Sequence, residues 1–289
     1  MIDFINNLFA DSNSDYKSSR YVIFGVPYDA TTTFRPGTRE GPRAIREMSY
    51  NFESYMPSYD INVADLSISD LGNIDTGVLP DDMVNDVFKV TGDIMRDGKV
   101  PVMLGGEHSI TLGAVRAVRP DCYLVCDAHL DLRDEFRGTK YNHACITRRV
   151  LEEVTSDIII VGARSGTKEQ YELARSLLLF TAEEIQNRGM IRVMKDIEDA
   201  IGKKRVYLSV DADVIDCCLT PGVGTPEPFG LVPQNIRDLI AAIAPMAVAF
   251  DYVEVSPFDN GQTATVAAQM VREFIAAHAK SLGKNQVAK

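Results

Sequence analysis

The sequence has no hydrophobic run long enough to span a membrane: no stretch approaches about 18 uncharged apolar residues. It has no CxxC pair either. Its five cysteines (Cys122, Cys126, Cys145, Cys217 and Cys218) are odd in number and read as reduced thiols of a cytosolic protein, not as a disulfide framework. Positive charge is in short supply, with 30 Lys and Arg against 41 Asp and Glu and a net charge of −11 at pH 7. Such a surface repels phosphate backbones, which argues against nucleic acid as a partner and for cationic small molecules and divalent metals. The opening segment, residues 1–7, lacks a basic region and Asp3 interrupts its apolar run. The expectation is therefore no signal peptide, no membrane partner and a cytoplasmic location.

What is present is the composition of an ordinary globular protein: 289 residues, 45% hydrophobic and 25% charged. Short apolar runs alternate with longer amphipathic ones, the pattern of strand–helix units on a parallel sheet covered on both faces. Strands are predicted at Tyr21–Val26, Val102–Leu104, Tyr123–Cys126, Ile158–Val161, Val206–Val210 and Val248–Val253, with weaker ones at Val63–Leu66 and Leu177–Phe180. That makes about eight. One helix carries Val84, Val87, Phe88, Thr91, Ile94 and Met95 on its apolar stripe and stops at Gly98. Another opens at Pro42, and a last amphipathic one runs over Thr263–Leu282. No linker or repeat interrupts the chain, so residues 1–289 read as one α/β domain.

Three apolar runs end in hard metal-ligand residue types: Leu104-Gly-Gly-Glu-His108, Cys126-Asp127-Ala-His129-Leu-Asp131 and Leu208-Ser-Val-Asp211-Ala-Asp213. Ligands of parallel sheets bind just beyond the carboxyl ends of strands, where these residues fall. On extended chain, positions i, i+2 and i+4 face one side, so Asp127, His129 and Asp131 can converge, as can Asp211 and Asp213. Four carboxylates and two imidazoles in one place need neutralisation, which two divalent cations supply. An oxygen-rich set without thiolate favours Mn²⁺ over structural zinc. A single Asp-x-Asp at a strand end is equally a turn or a helix cap; three such segments together point to a site. Cys126, Cys145 and Cys217 fit no zinc spacing and read as packing residues.

Of the four histidines, His143 follows the cluster by a short loop and reads as a general acid/base or as a plain loop residue, whereas His278 reads as structural. Glu254, at the end of the last strand, either faces the same pocket and receives a cation or caps a helix. The three ligand segments contain no Lys or Arg, which argues against a phosphatase. Arg133, Arg137 and Arg148 come later, in a loop and the following helix. Surplus carboxylate favours a cationic substrate, and a guanidinium, whose charge is delocalised, needs an activated water to hydrolyse it.

These residues resemble the ureohydrolase family, the binuclear manganese enzymes that include arginase and agmatinase. The likeness runs through Phe34-Arg-Pro-Gly-Thr-Arg-Glu-Gly-Pro-Arg-Ala-Ile-Arg46, Asp70-Leu-Gly-Asn73, Gly105-Gly-Glu-His-Ser-Ile-Thr111, Asp127–Asp131, Ser209–Asp213, Gly222-Val-Gly-Thr-Pro-Glu-Pro228 and Glu254-Val-Ser-Pro257. It implies a three-layer α/β/α arginase-like fold and two Mn²⁺ per chain. One ion would be held by His108, Asp127, Asp131 and Asp211, the other by Asp127, His129, Asp211 and Asp213, with a bridging hydroxide attacking the guanidinium carbon. It further implies that Asp213 protonates the leaving amine, His143 shuttles protons and Glu254 holds the guanidinium. A homo-oligomer, trimer or hexamer, is also implied.

The loop Leu132-Arg-Asp-Glu-Phe-Arg-Gly-Thr-Lys-Tyr-Asn-His143 is similar to the agmatinase version and lacks the arginase residues for an α-carboxylate. Agmatine, cleaved to putrescine and urea, is therefore the expected substrate, with guanidinobutyrate or arginine as alternatives. Outside that class stand a non-catalytic polyamine-binding paralogue and a zinc deacetylase-like enzyme. Three positions depart from the family pattern: Cys217-Cys218 where Pro is usual after Asp216, Phe229 in place of Gly, and Ala144 in place of Gly.

Overall fold

The computed structural model describes residues 7–287, so the opening residues 1–6 lie outside the described part. The strands are β1 (Tyr21–Val26), β2 (Tyr55–Met56), β3 (Ile61–Asn62), β4 (Ile68–Asn73), β5 (Val100–Gly105), β6 (Cys122–Cys126), β7 (Ile158–Ala163), β8 (Leu178–Thr181), β9 (Val206–Asp211) and β10 (Ala247–Val253). All but β2 and β3, a small separate hairpin, join one eight-stranded sheet in the order β4-β1-β5-β10-β9-β6-β7-β8. Its pairings are parallel throughout. The helices are α1 (Gly41–Ser49), α2 (Pro80–Arg96), α3 (Thr111–Val118), α4 (Ile146–Glu153), α5 (Lys168–Ala174), α6 (Ala182–Arg188), α7 (Met190–Ile201), α8 (Pro233–Ile243) and α9 (Gln262–Val287).

The strand period of two explains the layering. In β1, Tyr21 and Ile23 face a core shared with Ile45 of α1, Ile185 of α6, Ile197 of α7, Ile240 of α8 and Phe274 of α9. Val22 and Phe24 face the opposite core with Val84 of α2, Val115 of α3, Val150 of α4 and Ala174 of α5. The result is the expected three-layer α/β/α arrangement. Each fully buried large aliphatic or aromatic side chain contributes about 1.5–3 kcal/mol of transfer free energy. His278 sits in the first core, its Nδ1 2.9 Å from the Tyr21 hydroxyl and its ring beside Phe274. No helix among the described residues is long and apolar enough to cross a membrane.

Two expectations need correction. The strand predicted at Val63–Leu66 is a 3-10 turn over Val63–Asp65, and the chain pairs instead at Ile68–Asn73. As an edge strand β4 buries little beyond Ile68 and Ser69 and leaves Leu71 48% exposed, so its sequence alternates with polar residues and lacks the apolar signature. Phe88, placed on the apolar stripe of α2, is 44% exposed. The buried residues of α2 are Met83, Val84, Val87, Thr91 and Ile94, and α2 packs on α3 at Gly113, where a Cβ would lie 2.4 Å from the Val84 carbonyl oxygen.

The Asp70-Leu-Gly-Asn73 motif fastens the sheet edge to α1. Buried Arg46 donates to both oxygens of Asp70 (2.7 and 2.8 Å), to Asn73 Oδ1 (2.5 Å) and to the Gly72 carbonyl (2.9 Å). Each of its three nitrogens thereby has a partner, which offsets the cost of removing it from water.

Candidate active site

Strands β5, β10, β9 and β6 are neighbours at the middle of the sheet, and the chain leaving each carries the site residues. After β5, Gly106 approaches Tyr28 so closely that a Cβ would lie 2.0 Å from its carbonyl oxygen; only glycine allows the tuck that delivers Glu107 and His108. After β6 come Asp127, His129 and Asp131, the last with a left-handed φ of 49°. Asp211 closes β9 and Asp213 lies in the following 3-10 turn. Glu254 follows β10 with φ 63°.

The six residues predicted as ligands converge. His108 Nδ1 lies 3.0 Å from Asp127 Oδ2, 3.3 Å from Asp211 Oδ2 and 3.5 Å from Asp131 Oδ2. His129 Nδ1 lies 3.0 Å from Asp213 Oδ2 and 3.6 Å from Asp127 Oδ1. Asp127 thus turns one oxygen to each group. Asp211 gives Oδ2 to the His108 group, while its Oδ1 accepts the Asp213 backbone N–H at 2.8 Å. The donor atoms of His108, Asp127 and Asp131 lie within 4.8 Å of one another, as do those of Asp127, His129 and Asp213.

The chemistry of this set fits divalent cations. His108 Nδ1 and Asp127 Oδ2 are buried without a hydrogen-bond partner, although they face each other. Orphaned buried polar atoms are costly, and a cation between them satisfies both. Burial and Asp127 push Asp131 up to about 6, and burial, Asp213 and Asp127 push Asp211 well above the carboxylate range. Asp127, though buried, is held well below that range by His108 and His129. Cys126 is adjacent, but burial drives its thiol far up and keeps it protonated, so sulfur does not compete.

Each imidazole has an outer partner as well. His108 Nε2 lies 3.1 Å from Ser209 Oγ, which donates to Asp251 Oδ1 at 2.6 Å. Asp251 also accepts from the hydroxyls of Tyr207 (2.6 Å) and Thr111 (2.8 Å). With the Ser209 proton committed to Asp251, its oxygen accepts Nε2–H, which turns Nδ1 toward the carboxylates. His129 Nε2 has Glu227 Oε1 at 3.7 Å.

A cavity of about 180 Å³ opens over this cluster, lined among others by His143, Glu254, Thr33 and Thr225. His143 Nδ1 is 3.5 Å from Glu254 Oε1 and Nε2 is 3.2 Å from Thr33 Oγ1. Burial opposes its protonation, but the hydrogen bond and charge of Glu254 prevail and raise it to about 9. Glu254 Oε1 also accepts the His108 backbone N–H at 2.8 Å. Thr225 donates to Asp213 Oδ2 at 3.2 Å.

The structure adds residues that the sequence reading passed over. Arg133, in a loop as expected, lines the cavity with its guanidinium 4.5 Å from the Phe136 ring centroid, so the wall is not free of cations. Glu107, Ser209, Asp251 and the threonines after β1 were not singled out, because hydroxyls and a core aspartate carry no spacing signal. The run Thr31-Thr32-Thr33 was the one visible hint. Cys126 and Cys145 are buried as expected of packing residues, but Cys217 is half-buried and Cys218 exposed, both beside Asp216. Phe229 is 79% exposed at φ 62°, which explains why glycine suits that position.

The sequence matches the family model described as the arginase family over residues 19–277. A protein named agmatinase from Pyrococcus horikoshii is 35% identical over 271 residues, covering 90% of this chain and 92% of that one. One from Thermococcus kodakarensis named N(1)-aminopropylagmatine ureohydrolase is 37% identical over 272 residues, covering 91% and 92%. The crystal structure of an agmatine ureohydrolase from Thermoplasma volcanium superposes with a TM-score of 0.93 at 39% identity, covering 97% of both chains.

Proposed function

Because this chain belongs to the arginase family, we propose that it is an agmatinase, hydrolysing the guanidinium of agmatine to urea and putrescine with two Mn²⁺ held by the six converging residues. The observation that carries the reading is the pair of donor groups sharing Asp127, with His108 Nδ1 and Asp127 Oδ2 unpartnered beneath a cavity lined by His143 and Glu254. His108, Asp127, Asp131 and Asp211 would hold one ion, and Asp127, His129, Asp211 and Asp213 the other. When bound, such a pair lowers the pKa of water and so supplies a nucleophile at neutral pH.

The remaining work falls to the chain. The Glu254 carboxylate pairs with the substrate guanidinium and orients its carbon toward the cluster. Asp213, held by the Ala128 N–H and the Thr225 hydroxyl, passes a proton to the departing amine. His143, half-bonded to Glu254 and to Thr33, exchanges protons between the pocket and solvent. The carboxylates around the pocket favour a cationic tail, as in agmatine. A second reading, guanidinobutyrate, is favoured by Arg133, which lines the cavity with no ion pair among the described residues and would match a substrate carboxylate. The reading extends to one functional domain over the whole chain, working in the cytoplasm as a homo-oligomer, trimer or hexamer.

The test is urea release by purified, Mn²⁺-reconstituted protein from agmatine, N(1)-aminopropylagmatine, guanidinobutyrate and arginine in parallel, with metal content measured. Agmatine as the preferred substrate, two Mn per chain and loss of turnover in Asp127→Ala support the proposal. Preference for arginine, or a single bound zinc, refutes it.

A further inference from the structure

We propose that Thr31, Thr33 and Glu107 form a clamp that positions His143, an inference resting on the reading of His143 as the proton carrier. His143 begins a 3-10 turn (His143–Cys145) in a loop, with no strand beneath it, so its ring has no anchor of its own. The anchor comes from the segment that follows β1. Glu107 is fully buried, and its carboxylate accepts the Thr31 N–H (2.8 Å), the Thr31 hydroxyl (2.5 Å) and the Ser109 hydroxyl (2.5 Å).

This commitment fixes polarity. With the Thr31 proton given to Glu107, Thr31 Oγ1 is left as an acceptor, and it takes the backbone N–H of His143 at 3.0 Å. Asn142 stitches the same turn from the other side, accepting the Ala144 N–H at 3.0 Å. Two residues along, Thr33 Oγ1 meets the ring itself at Nε2, 3.2 Å away, opposite Glu254 on Nδ1. Arg137 ties the Thr33 carbonyl at 3.1 Å. His143 is thus held at its backbone and at both ring nitrogens, and the clamp is built from the segments that follow two paired strands, β1 and β5. A small displacement of an acid/base group is known to cost as much as a hundredfold in rate, so the clamp sets turnover and not merely fold.

The experiment compares Thr33→Val and Thr31→Val with Thr33→Ser and Thr31→Ser in the Mn²⁺-loaded protein. Valine keeps the shape and removes the hydroxyl; serine keeps the hydroxyl. The valine variants should lose about 10–100-fold in kcat on agmatine with little change in KM, and the serine variants should stay within about threefold of wild type. Bound metal should not move, and the Thr33 variants should keep the wild-type unfolding midpoint; Thr31→Val, which strands the buried Glu107 carboxylate, should lower it. A second readout is independent of turnover: carbethoxylation of His143 by diethyl pyrocarbonate, followed by peptide mass spectrometry, should quicken severalfold when valine releases the ring nitrogen from its hydrogen bond.

Valine variants with wild-type turnover and wild-type labelling overturn the clamp, as do serine variants impaired as much as valine. A wild-type protein that releases no urea, but whose His143 labelling responds to valine and not to serine, overturns the assigned substrate and leaves the clamp standing.

Discussion

Replacing Asp131 with Asn should stabilise the metal-free protein while removing its activity. The donor oxygens of Asp131 and Asp127 lie within 4.8 Å of each other. Two unit charges about 5 Å apart at an effective dielectric constant of about 20 repel by about 3 kcal/mol. The elevation of Asp131 from 3.8 to about 6, by burial first and Asp127 second, leads to the same figure: about 2 pH units at 1.36 kcal/mol each. Asparagine removes that charge without disturbing the backbone, because the left-handed φ of 49° at this position suits Asn as well as Asp. The sign over pH follows from linkage. A carboxyl whose folded pKa is raised gains its proton on folding, so the penalty is absent below about pH 4, grows between about 4 and 6 and is complete above. Denaturant unfolding in EDTA should therefore show Asp131→Asn about 2–3 kcal/mol more stable than wild type at pH 8, with the difference fading toward pH 4. Added Mn²⁺ should raise the wild type well above the variant and reverse the order. A metal-free Asp131→Asn protein less stable than wild type at pH 8 would refute the charge argument.

Three further expectations follow from the same contacts. Ser209→Ala severs His108 from Asp251 and should raise the Mn²⁺ concentration for half-maximal activity about 10–100-fold, with turnover largely recovered at saturating metal; an unchanged metal requirement contradicts the relay. Arg46→Met strands the buried Asp70 carboxylate and should cost about 3–5 kcal/mol in denaturant unfolding, far more than any surface arginine. Phe229→Gly relieves an exposed side chain from a left-handed backbone and should gain about 1 kcal/mol, visible as a higher thermal midpoint with unaltered urea release.

The central strands were legible in the sequence because they are buried on both faces and read as unbroken apolar runs; β1 agrees to the residue. The edge strand β4 was not, since a strand covered on one side alternates and mimics a loop. Ligand-type residues were legible for a related reason: acid and imidazole at the ends of apolar runs are conspicuous. The residues that aim them were hidden. Ser209 and Asp251 sit inside strands two and three residues before Asp211 and Glu254, and only the pairing of β9 with β10 brings them into contact. That Arg133 lines the cavity was hidden for want of the same information, although its place in a loop was legible.

The position of β10 has a consequence for how the chain is made. In chain order it follows every other strand of the sheet, yet it lies between β5 and β9 in the middle. Before residue 253 has been added, the strands that can pair fall into two groups, β4-β1-β5 and β9-β6-β7-β8, whose inner edges only β10 can join. Those edges are templates for wrong pairing, and a chaperone that shields them acts at the most vulnerable stage of synthesis. Insertion of β10 closes the gap, brings Asp251 up to Ser209 and delivers Glu254 in the same event, so a truncated translation product holds its carboxylates without the strand that completes the site.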